Sequence, residues 1–360
     1  MKIYLSIILL SFLSSVAHSN VLLDGKLELA EQGDAGAQLI VGWMYEVGLH
    51  VPKNYKTAVV WYTKAAEQGD AMAQYNLALM YINGKGVPKN DKTAVAWFTK
   101  AAEQGDAEAQ YHVGQVYANG RGVSKNYKTA VVWYTKAAEQ GYAMAQYNLG
   151  TMYANGEGVP ENDKTAVMWF TRAAEQGYVE AQYNLGIKYA NGRGVSKNDK
   201  TAVMWYTKAA EQGDAMAQYT LALMYVHGTG VPKNDKTAVA WFTRAAEQGY
   251  ADAEANLALM YVNGEGVPEN DKTAVMWYTK AAEQGNAMAQ AGLGLMYVNG
   301  KGVPESNIKA YVWWSMAKAS GNEIAKGNLE KLKKAMTKEQ IAKAQEIGSR
   351  CYASDYKDCD

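Results

Sequence analysis

The most regular feature of the sequence is the return of the same hydrophobic and polar positions after a fixed number of residues. Trp61 and Trp97 lie 36 residues apart, and the Ala-Ala-Glu-Gln-Gly segments keep the same step. The full tryptophan series is Trp61, Trp97, Trp133, Trp169, Trp205, Trp241, Trp277 and Trp313. A fixed period in this range is typical of repeats that stack into one array. We therefore expect eight copies of one structural unit.

Within one unit, the spacing of the hydrophobic residues predicts two helices, which we call helix A and helix B. Helix A, "AMAQYNLALMYI", follows Asp70, which can cap the free amides of its first turn. The segment "NGKGV" then supplies two glycines for a turn. Helix B, "DKTAVAWFTKAAEQ", opens at the cap residue Asn90 and closes at Gly105. Each unit is thus a helical hairpin, and its two aromatic faces require stacked neighbours.

These residues resemble a known repeat. The segment "AQYNLALMYINGKGVPKNDKTAVAWFTKAAEQG" is similar to the Sel1-like repeat, a relative of the tetratricopeptide repeat, and the resemblance spans about residues 30–336. It implies an all-α fold, a right-handed α-solenoid of eight tandem 36-residue helical hairpins plus a C-terminal capping hairpin. It also implies protein or peptide binding, often by adaptors among exported bacterial proteins.

The chain is expected to divide into five segments. They are a signal peptide at 1–19, an N-terminal cap helix at 20–33, the eight Sel1-like repeats at 34–321, capping helices at 322–349 and a disulfide tail at 350–360. In the first unit His50 replaces the second turn glycine, so this loop is expected to turn differently from the others. Near the C-terminus, Thr337 and Gln340 predict a capping box for the last helix.

The N-terminal residues and the charge balance bear on location and partners. Lys2 precedes an apolar stretch at 3–13 and then small residues, the order of a secretory signal peptide cleaved after Ala17 or Ser19. An uncleaved N-terminal anchor is the alternative. We expect a periplasmic protein, with secretion as the alternative location, and no stable membrane insertion after cleavage. The 36 basic and 36 acidic residues balance, which argues against a nucleic-acid partner.

The only two cysteines, Cys351 and Cys359, lie in the C-terminal tail. In an oxidising location they are expected to form a disulfide, with a metal site or free thiols as the alternatives. A metal site would need further ligands, and the four histidines are scattered along the chain. We therefore expect neither a metal nor a cofactor.

Differences between the copies fall on one face of helix A. In the second unit Met72, Asn76 and Leu79 follow one another at helical spacing. The resemblance implies that this face lines a concave groove and binds the partner. Asparagine amides can pair with a peptide backbone, and tyrosine and methionine add adaptable apolar contacts; packing between repeats is their alternative role. The candidate partner-binding residues are Met72, Tyr75, Asn76, Leu79, Glu108, Tyr111, His112, Gln115, Met144, Tyr147, Asn148, Thr151, Glu180, Tyr183, Asn184, Ile187, Met216, Tyr219 and Asn256.

Catalytic motifs are missing from the sequence, which contains no HExxH, GxSxG, GxGxxG or P-loop pattern. We therefore expect a monomeric, non-catalytic scaffold or adaptor of the bacterial cell envelope that binds a protein or peptide. A secreted host-interaction factor that uses the same groove is the first alternative. A cell-wall-related hydrolase is the second, because cysteine-rich relatives have been linked to penicillin binding, but the repeats of this chain lack cysteine.

Overall fold

The computed structural model describes residues 25–357 and Cys359. The expected signal peptide at 1–19 lies outside these residues. Within the described part of the chain, every regular element is a helix, and helix pairs follow one another at the 36-residue step, for example from Ala71 to Ala107. The expected all-α solenoid of tandem helix pairs is therefore confirmed.

The helices keep nearly constant lengths along the chain. Helix α1 covers 25–31. The A helices are α2 (Ala35–Val47), α4 (Ala71–Asn83), α6 (Ala107–Asn119), α8 (Ala143–Asn155), α10 (Val179–Asn191), α12 (Ala215–His227), α14 (Ala251–Asn263) and α16 (Ala287–Asn299). The B helices are α3 (Tyr55–Glu67), α5 (Asp91–Glu103), α7 (Tyr127–Glu139), α9 (Asp163–Glu175), α11 (Asp199–Glu211), α13 (Asp235–Glu247), α15 (Asp271–Glu283) and α17 (Asn307–Ala319), followed by α18 (Glu323–Ala335) and α19 (Lys338–Ala353).

The ends of these helices are set by local hydrogen bonds, as the sequence predicts. Asp70 caps α4 by accepting from the Ala73 backbone N–H at 2.7 Å, and Asn90 caps α5 by accepting from the Thr93 N–H at 3.0 Å. Gly84, with φ 67°, ends α4, and Gly105, with φ 98°, follows α5. Both glycines are left-handed, a conformation that side chains disfavour.

The second glycine of each turn has a role that its turn conformation alone does not predict. A Cβ atom at Gly158 would lie 2.5 Å from the carbonyl of Tyr127, the first residue of the B helix one repeat earlier. The turn therefore rests directly on the backbone of the preceding repeat. His50 holds the same left-handed conformation, with φ 61°, so the expectation that its loop turns differently is wrong. The backbone that this position would meet one repeat earlier falls before residue 25, outside the residues that the structure describes.

Small residues let the two helices of a pair approach closely. A Cβ atom at Gly150 would lie 2.8 Å from the ring of Phe170 in α9, and one at Gly114 would lie 2.6 Å from the ring of Tyr134 in α7. Ala78 of α4, at the position equivalent to Gly150, and Ala94 of α5 are fully buried in one core cluster. Aromatic rings thus fill the space that small residues leave, and interiors packed in this way resist changes of even one methylene.

Buried glutamines of the A helices form hydrogen bonds both within their own repeat and to the preceding repeat. Gln74 donates through Nε2 to the Ala66 carbonyl at 3.1 Å and accepts through Oε1 from Gln104 Nε2 at 2.9 Å. The same arrangement joins Gln218 to Gln248. Each of these amides satisfies a buried carbonyl and a neighbouring amide together, which a buried polar group requires. The bond between the two glutamines joins helix A to helix B of one repeat, and the bond from Gln74 to the Ala66 carbonyl joins that repeat to the preceding one.

The chain divides into two compact units between Tyr178 and Val179; the first holds α1–α9 and the second α10–α19. In the second unit, α18 and α19 both pack against α17. Thr337 and Gln340 form the predicted capping box. Helix α19 continues to Ala353, beyond the predicted boundary at 349, and the expected disulfide joins Cys351 to Cys359. The buried Cys351 thereby attaches the C-terminal segment to the last helix.

Candidate functional site

The predicted binding residues occupy the second, fifth, sixth and ninth positions of the A helices, which we call the helix A face. The second position is open to solvent: Met72 is 58% exposed and Met216 is 47% exposed. From α4 to α12 the fifth position holds a tyrosine, which is buried at Tyr111 and half-buried in the other four helices. The helix A face therefore presents rows of partly covered rings with exposed side chains beside them.

In the first unit the structure gathers several predicted residues into one aromatic cluster around α6. The His112 ring stacks on Phe98 at 4.9 Å between centroids and lies 5.7 Å from Tyr75. Tyr111 lies 5.3 Å from both His112 and Tyr142. Such offset and tilted pairs stabilise each other beyond their buried area. The cluster joins three consecutive repeats.

Glu108 lies at the edge of this cluster, where the Tyr75 hydroxyl donates to its Oε1 atom at 2.6 Å. Burial raises the pKa of Tyr75, and the hydrogen bond to Glu108 raises it further. Burial also raises the pKa of Tyr142 to about 12, with added contributions from the Glu108 and Asp106 carboxylates. These tyrosines are therefore neutral hydrogen-bond donors at physiological pH, and Glu108 is held in place by one of them.

His112 is the one histidine on the helix A face of the first unit. Burial lowers its pKa, against the opposing effects of Glu108, Gln115 and Asp106. A neutral imidazole is consistent with its stacking on Phe98. His112 occupies the sixth position of α6, and asparagine occupies the same position in α4 (Asn76) and α8 (Asn148).

A second part of the first unit brings together Gln115, Asn148 and Thr151, which line a shallow cavity of about 270 Å³ with Tyr134. Thr151 donates to the Tyr147 carbonyl at 3.1 Å within its own helix. Burial raises the pKa of Tyr134, while a hydrogen bond from the Asn148 side chain lowers it. Asn148 thus forms a hydrogen bond with the Tyr134 hydroxyl at the cavity wall, so part of its amide is already used within the protein.

In the second unit the helix A face is built in a similar way. Tyr219 lies 5.2 Å from Tyr250 and 5.8 Å from Phe242. Burial raises the pKa of both tyrosines, and the Asp252 carboxylate raises it further. Asn286 donates to Asp252 Oδ1 at 2.7 Å. Tyr219, Tyr250 and Asp252 therefore form one contiguous polar and aromatic patch.

The side-chain amides of two predicted asparagines already form hydrogen bonds within their own helices, so they are less available to a peptide than the sequence predicts. Asn184 donates through Nδ2 to the Glu180 carbonyl at 2.9 Å, and Asn256 donates to the Asp252 carbonyl at 2.8 Å. Both bonds run four residues back along the same helix. This local bonding explains how asparagine, a poor helix former, is accommodated in the middle of a helix. The amides thus offer a partner fewer donors than their number suggests.

Packing, the alternative role, applies to part of the predicted set. Leu79, Met144 and Ile187 are partly buried against the core clusters of their repeats. Tyr147 and Tyr183 also lie against rings of helix B, Phe170 and Tyr206, with centroids 5.8 and 5.6 Å apart. These side chains shape the helix A face from below.

Tyrosines at the helix A cap position, which are not among the residues predicted from the sequence, extend the helix A face. Tyr142 and Tyr250 precede α8 and α14 where other repeats have an aspartate cap, and neither makes a side-chain cap hydrogen bond. Tyr142 instead packs against Tyr111 with the two rings tilted, and Tyr178 lies 5.2 Å from Tyr147. The signal was present in the sequence, because the residue after each Gly of Ala-Ala-Glu-Gln-Gly alternates among Asp, Asn and Tyr.

Another regularity is a doubled period at the second position of helix A. From α4 onward this position reads Met72, Glu108 and Met144 in the first unit and Glu180, Met216, Asp252 and Met288 in the second, whereas α2 has Gly36 there. Apolar and acidic side chains therefore alternate along the helix A face. A comparison of repeats 72 residues apart, rather than 36, reveals this pattern in the sequence.

Within residues 25–357 and Cys359, no three side chains of the metal-binding types come close enough together to hold an ion. None of the helices described combines the length and the apolar character that a membrane crossing needs.

Comparisons with known proteins agree with this architecture. The sequence model of the Sel1 repeat matches eight consecutive segments, at residues 35–70, 71–106, 107–142, 143–178, 179–214, 215–250, 251–286 and 287–322. A solved Sel1 repeat protein from Oxalobacter formigenes is 34% identical, with 86% of this chain and 90% of that chain covered and a TM-score of 0.67. The structure of c5321, described as a protective antigen present in uropathogenic Escherichia coli strains displaying an SLR fold, is 32% identical, with 92% and 87% covered and a TM-score of 0.53. The search of curated proteins found no match.

Proposed function

Because this chain belongs to the Sel1 repeat family, we propose that it is a non-catalytic scaffold that binds a protein or peptide partner through the helix A face. The observation that carries the proposal is the row of partly exposed tyrosines on that face, extended by Tyr142, Tyr178 and Tyr250 at the cap positions. Tyrosine is enriched at protein interfaces because it combines a large rigid ring with a polar tip at a low cost in conformational entropy.

Exposed methionines support the same role. Met72 and Met216 lie next to the tyrosine rows and are about half exposed. Methionine is flexible and polarisable, so it adapts to irregular partner surfaces. Single exposed apolar residues are ordinary, but a set that recurs beside aromatic rings is typical of an interaction surface.

We place this activity in the bacterial cell envelope, with the periplasm as the compartment. The Cys351–Cys359 disulfide is compatible with an oxidising location, and the signal-type sequence at 1–19 fits export. A secreted, host-interacting protein is the alternative, which the similarity to a protein described as a protective antigen favours. Fractionation with mass measurement of the mature N-terminus tests both: recovery from the culture medium alone contradicts the periplasmic assignment, and a retained N-terminus contradicts export by cleavage.

Site-specific photo-crosslinking tests the binding face. A photoreactive residue at Thr151, on the helix A face, is compared with one at Val132, an exposed residue of helix B in the same unit. We expect a discrete crosslinked protein from the Thr151 variant and a much weaker one from the Val132 variant. Equal crosslinking from both positions, or from Val132 alone, contradicts the assignment of the helix A face.

A further inference from the structure

We propose that the cluster around Glu108 binds the lysine or arginine side chain of an extended peptide partner, and that Asp252 provides an equivalent anchor in the second unit. The inference rests on the proposed function and specifies the charge of the partner. It follows from the distribution of charge over the two faces, from the environment of the two carboxylates and from the rings beside them.

The helix A face carries acidic residues without exposed basic ones. In the first unit α2, α4, α6 and α8 contain Glu46, Glu108 and His112 and no lysine or arginine, whereas the B helices of that unit contain eight. In the second unit the one basic side chain of an A helix besides His227 is Lys188, which is 7% exposed. The B helices carry exposed acidic residues as well, but there they are balanced by lysine and arginine, so the uncompensated negative charge lies on the A helices. Complementary charge steers the encounter with a cationic partner.

Glu108 is positioned to receive a cation. Tyr75 holds its Oε1 atom, while Oε2 has no hydrogen-bond partner among the residues that the structure describes. No lysine or arginine in that part of the chain forms an ion pair with Glu108. Its carboxylate is exposed, so a ligand can reach it. A carboxylate held by a neutral donor keeps its charge available for a charge-assisted hydrogen bond.

Aromatic rings beside the carboxylate favour an organic cation over a metal ion. Tyr75, His112 and Tyr142 all lie close enough to Glu108 for its charge to affect their ionisation. The faces of such rings attract ammonium and guanidinium groups. A metal ion would need several carboxylate or imidazole ligands that converge on it, and the described residues bring no group of three such side chains together.

The second unit repeats the constellation with different residues. Asp252 is exposed and lies near both Tyr219 and Tyr250, whose rings are 5.2 Å apart. Asn286 replaces the tyrosine donor by holding Oδ1 at 2.7 Å. Both units therefore present a carboxylate, a neutral hydrogen-bond donor and a pair of rings at the second position of an A helix. An extended peptide advances about 3.3 Å per residue, so several of its side chains can contact the A helices of one unit.

Fluorescence anisotropy with two defined peptides tests the inference on the full mature chain. One probe is an extended Ser/Gly peptide of about ten residues with lysine at every third position, and the other has glutamine at those positions. We expect the lysine peptide to bind, and Glu108→Gln and Asp252→Asn each to weaken it about five- to tenfold. Glu103→Gln removes the same charge from an exposed site on helix B and is expected to change the affinity less than twofold. Raising the salt concentration is expected to weaken binding to the wild type more than to the double variant.

The outcomes separate this inference from the function on which it rests. Equal binding of the two peptides, unchanged by Glu108→Gln, overturns the cation site and leaves the helix A face as a binding surface. Absence of lysine-peptide binding up to about 1 mM also overturns it, and the crosslinking at Thr151 then decides the proposed function. If the protein instead self-associates and Glu108→Gln disrupts the oligomer, the occupant is a second copy, through its lysine-rich α18, and the peptide inference is wrong. Circular dichroism of each variant confirms that folding is retained.

Discussion

Glu254 provides the sharpest test of how the repeats are joined. It occupies the position that glutamine holds in the other seven repeats, is 2% exposed, and accepts from Gln284 Nε2 at 2.8 Å. At the equivalent position one repeat earlier, Gln218 accepts from Gln248 and also donates to the Ala210 carbonyl at 3.0 Å. An ionised glutamate has no hydrogen to donate to the corresponding carbonyl of Ala246. The substitution Glu254→Gln therefore restores a buried hydrogen bond and removes a buried charge.

The expected gain in stability follows from these contacts. An unsatisfied buried acceptor costs about 1–3 kcal/mol, so Glu254→Gln is expected to raise the free energy of unfolding of the second unit by a similar amount near pH 7.5. For a unit of this size, that corresponds to a melting temperature higher by roughly 2–10 °C. Packing changes little, because the two side chains have nearly the same shape.

The ionisation of Glu254 determines how the stability of the wild-type protein changes with pH. Burial raises the pKa of Glu254, with Glu283 acting in the same direction and Lys280 and Gln284 opposing it. Between the ordinary carboxyl pKa of 4.5 and the raised value, the folded state binds more protons than the unfolded state, so wild-type stability falls as the pH rises through this range. A protonated Glu254 can donate as glutamine does. The stability difference between the variant and the wild type is therefore expected to shrink as the pH falls towards about 4.5.

Thermal unfolding followed by circular dichroism at several pH values measures both effects. Gln218→Glu, in the same unit, is the matched reverse variant and is expected to destabilise the protein at pH 7.5 by a comparable amount. The reasoning fails if Glu254→Gln leaves the melting temperature unchanged at pH 7.5. It also fails if the difference between the two proteins does not change with pH, because the gain would then be unrelated to ionisation.

Three further predictions test other contacts. Gln290 Oε1 is buried and has no hydrogen-bond partner in the described part of the chain, because Ser320 stands where other repeats have the donating glutamine. Ser320→Gln is expected to supply this hydrogen bond and to raise the free energy of unfolding by about 1 kcal/mol in urea titrations. An unchanged unfolding midpoint contradicts this expectation. Gly158→Ala is expected to lower the free energy of unfolding by more than about 2 kcal/mol, because the new Cβ would meet the Tyr127 backbone. His50→Ala, at the equivalent position of the first repeat, is expected to leave the free energy of unfolding nearly unchanged. Equal losses of stability in the two variants contradict the contact between repeats. Burial lowers the pKa of His112, whose surroundings include Glu108, Asp106, Tyr75, Tyr111 and Tyr142, so the stability it contributes is present above the unfolded pKa of 6.5 and is lost as the pH falls towards the lowered value. His112→Asn is expected to flatten this part of the melting-temperature profile, and an identical slope in both proteins refutes the assignment.

The parts of the fold that the sequence predicts are those that depend on local bonds. The caps at Asp70 and Asn90 and the box at Thr337 each involve a residue and a partner three positions away, so a short window of sequence contains both partners. The hairpin and its repetition follow from these caps and from the 36-residue period. Family resemblance then adds the stacking of one repeat on another.

Contacts between repeats were harder to predict because their partners lie about one period apart. The second turn glycine recurs among the copies because it contacts the preceding B helix, and the turn sequence alone does not reveal this contact. The sequence therefore wrongly predicts that the turn changes where His50 replaces this glycine. The bond from Tyr75 to Glu108 crosses 33 residues. Its existence depends on how far one repeat rotates against the next, a quantity that no single hairpin encodes.

The tyrosines at the cap positions suggest how the helix A face can vary while the fold is retained. Replacing an aspartate cap costs about 1 kcal/mol, and an aromatic pair such as Tyr142–Tyr111 contributes about 0.5–1.5 kcal/mol. The local bond is thus exchanged for a contact with the previous repeat at little net change in stability. Helices α8 and α14 begin at the same register as the capped helices, so the exchange leaves the period intact. Ring and carboxylate can therefore alternate at the edge of the helix A face without disturbing the core beneath it, and this is the freedom that a binding surface built on repeats requires.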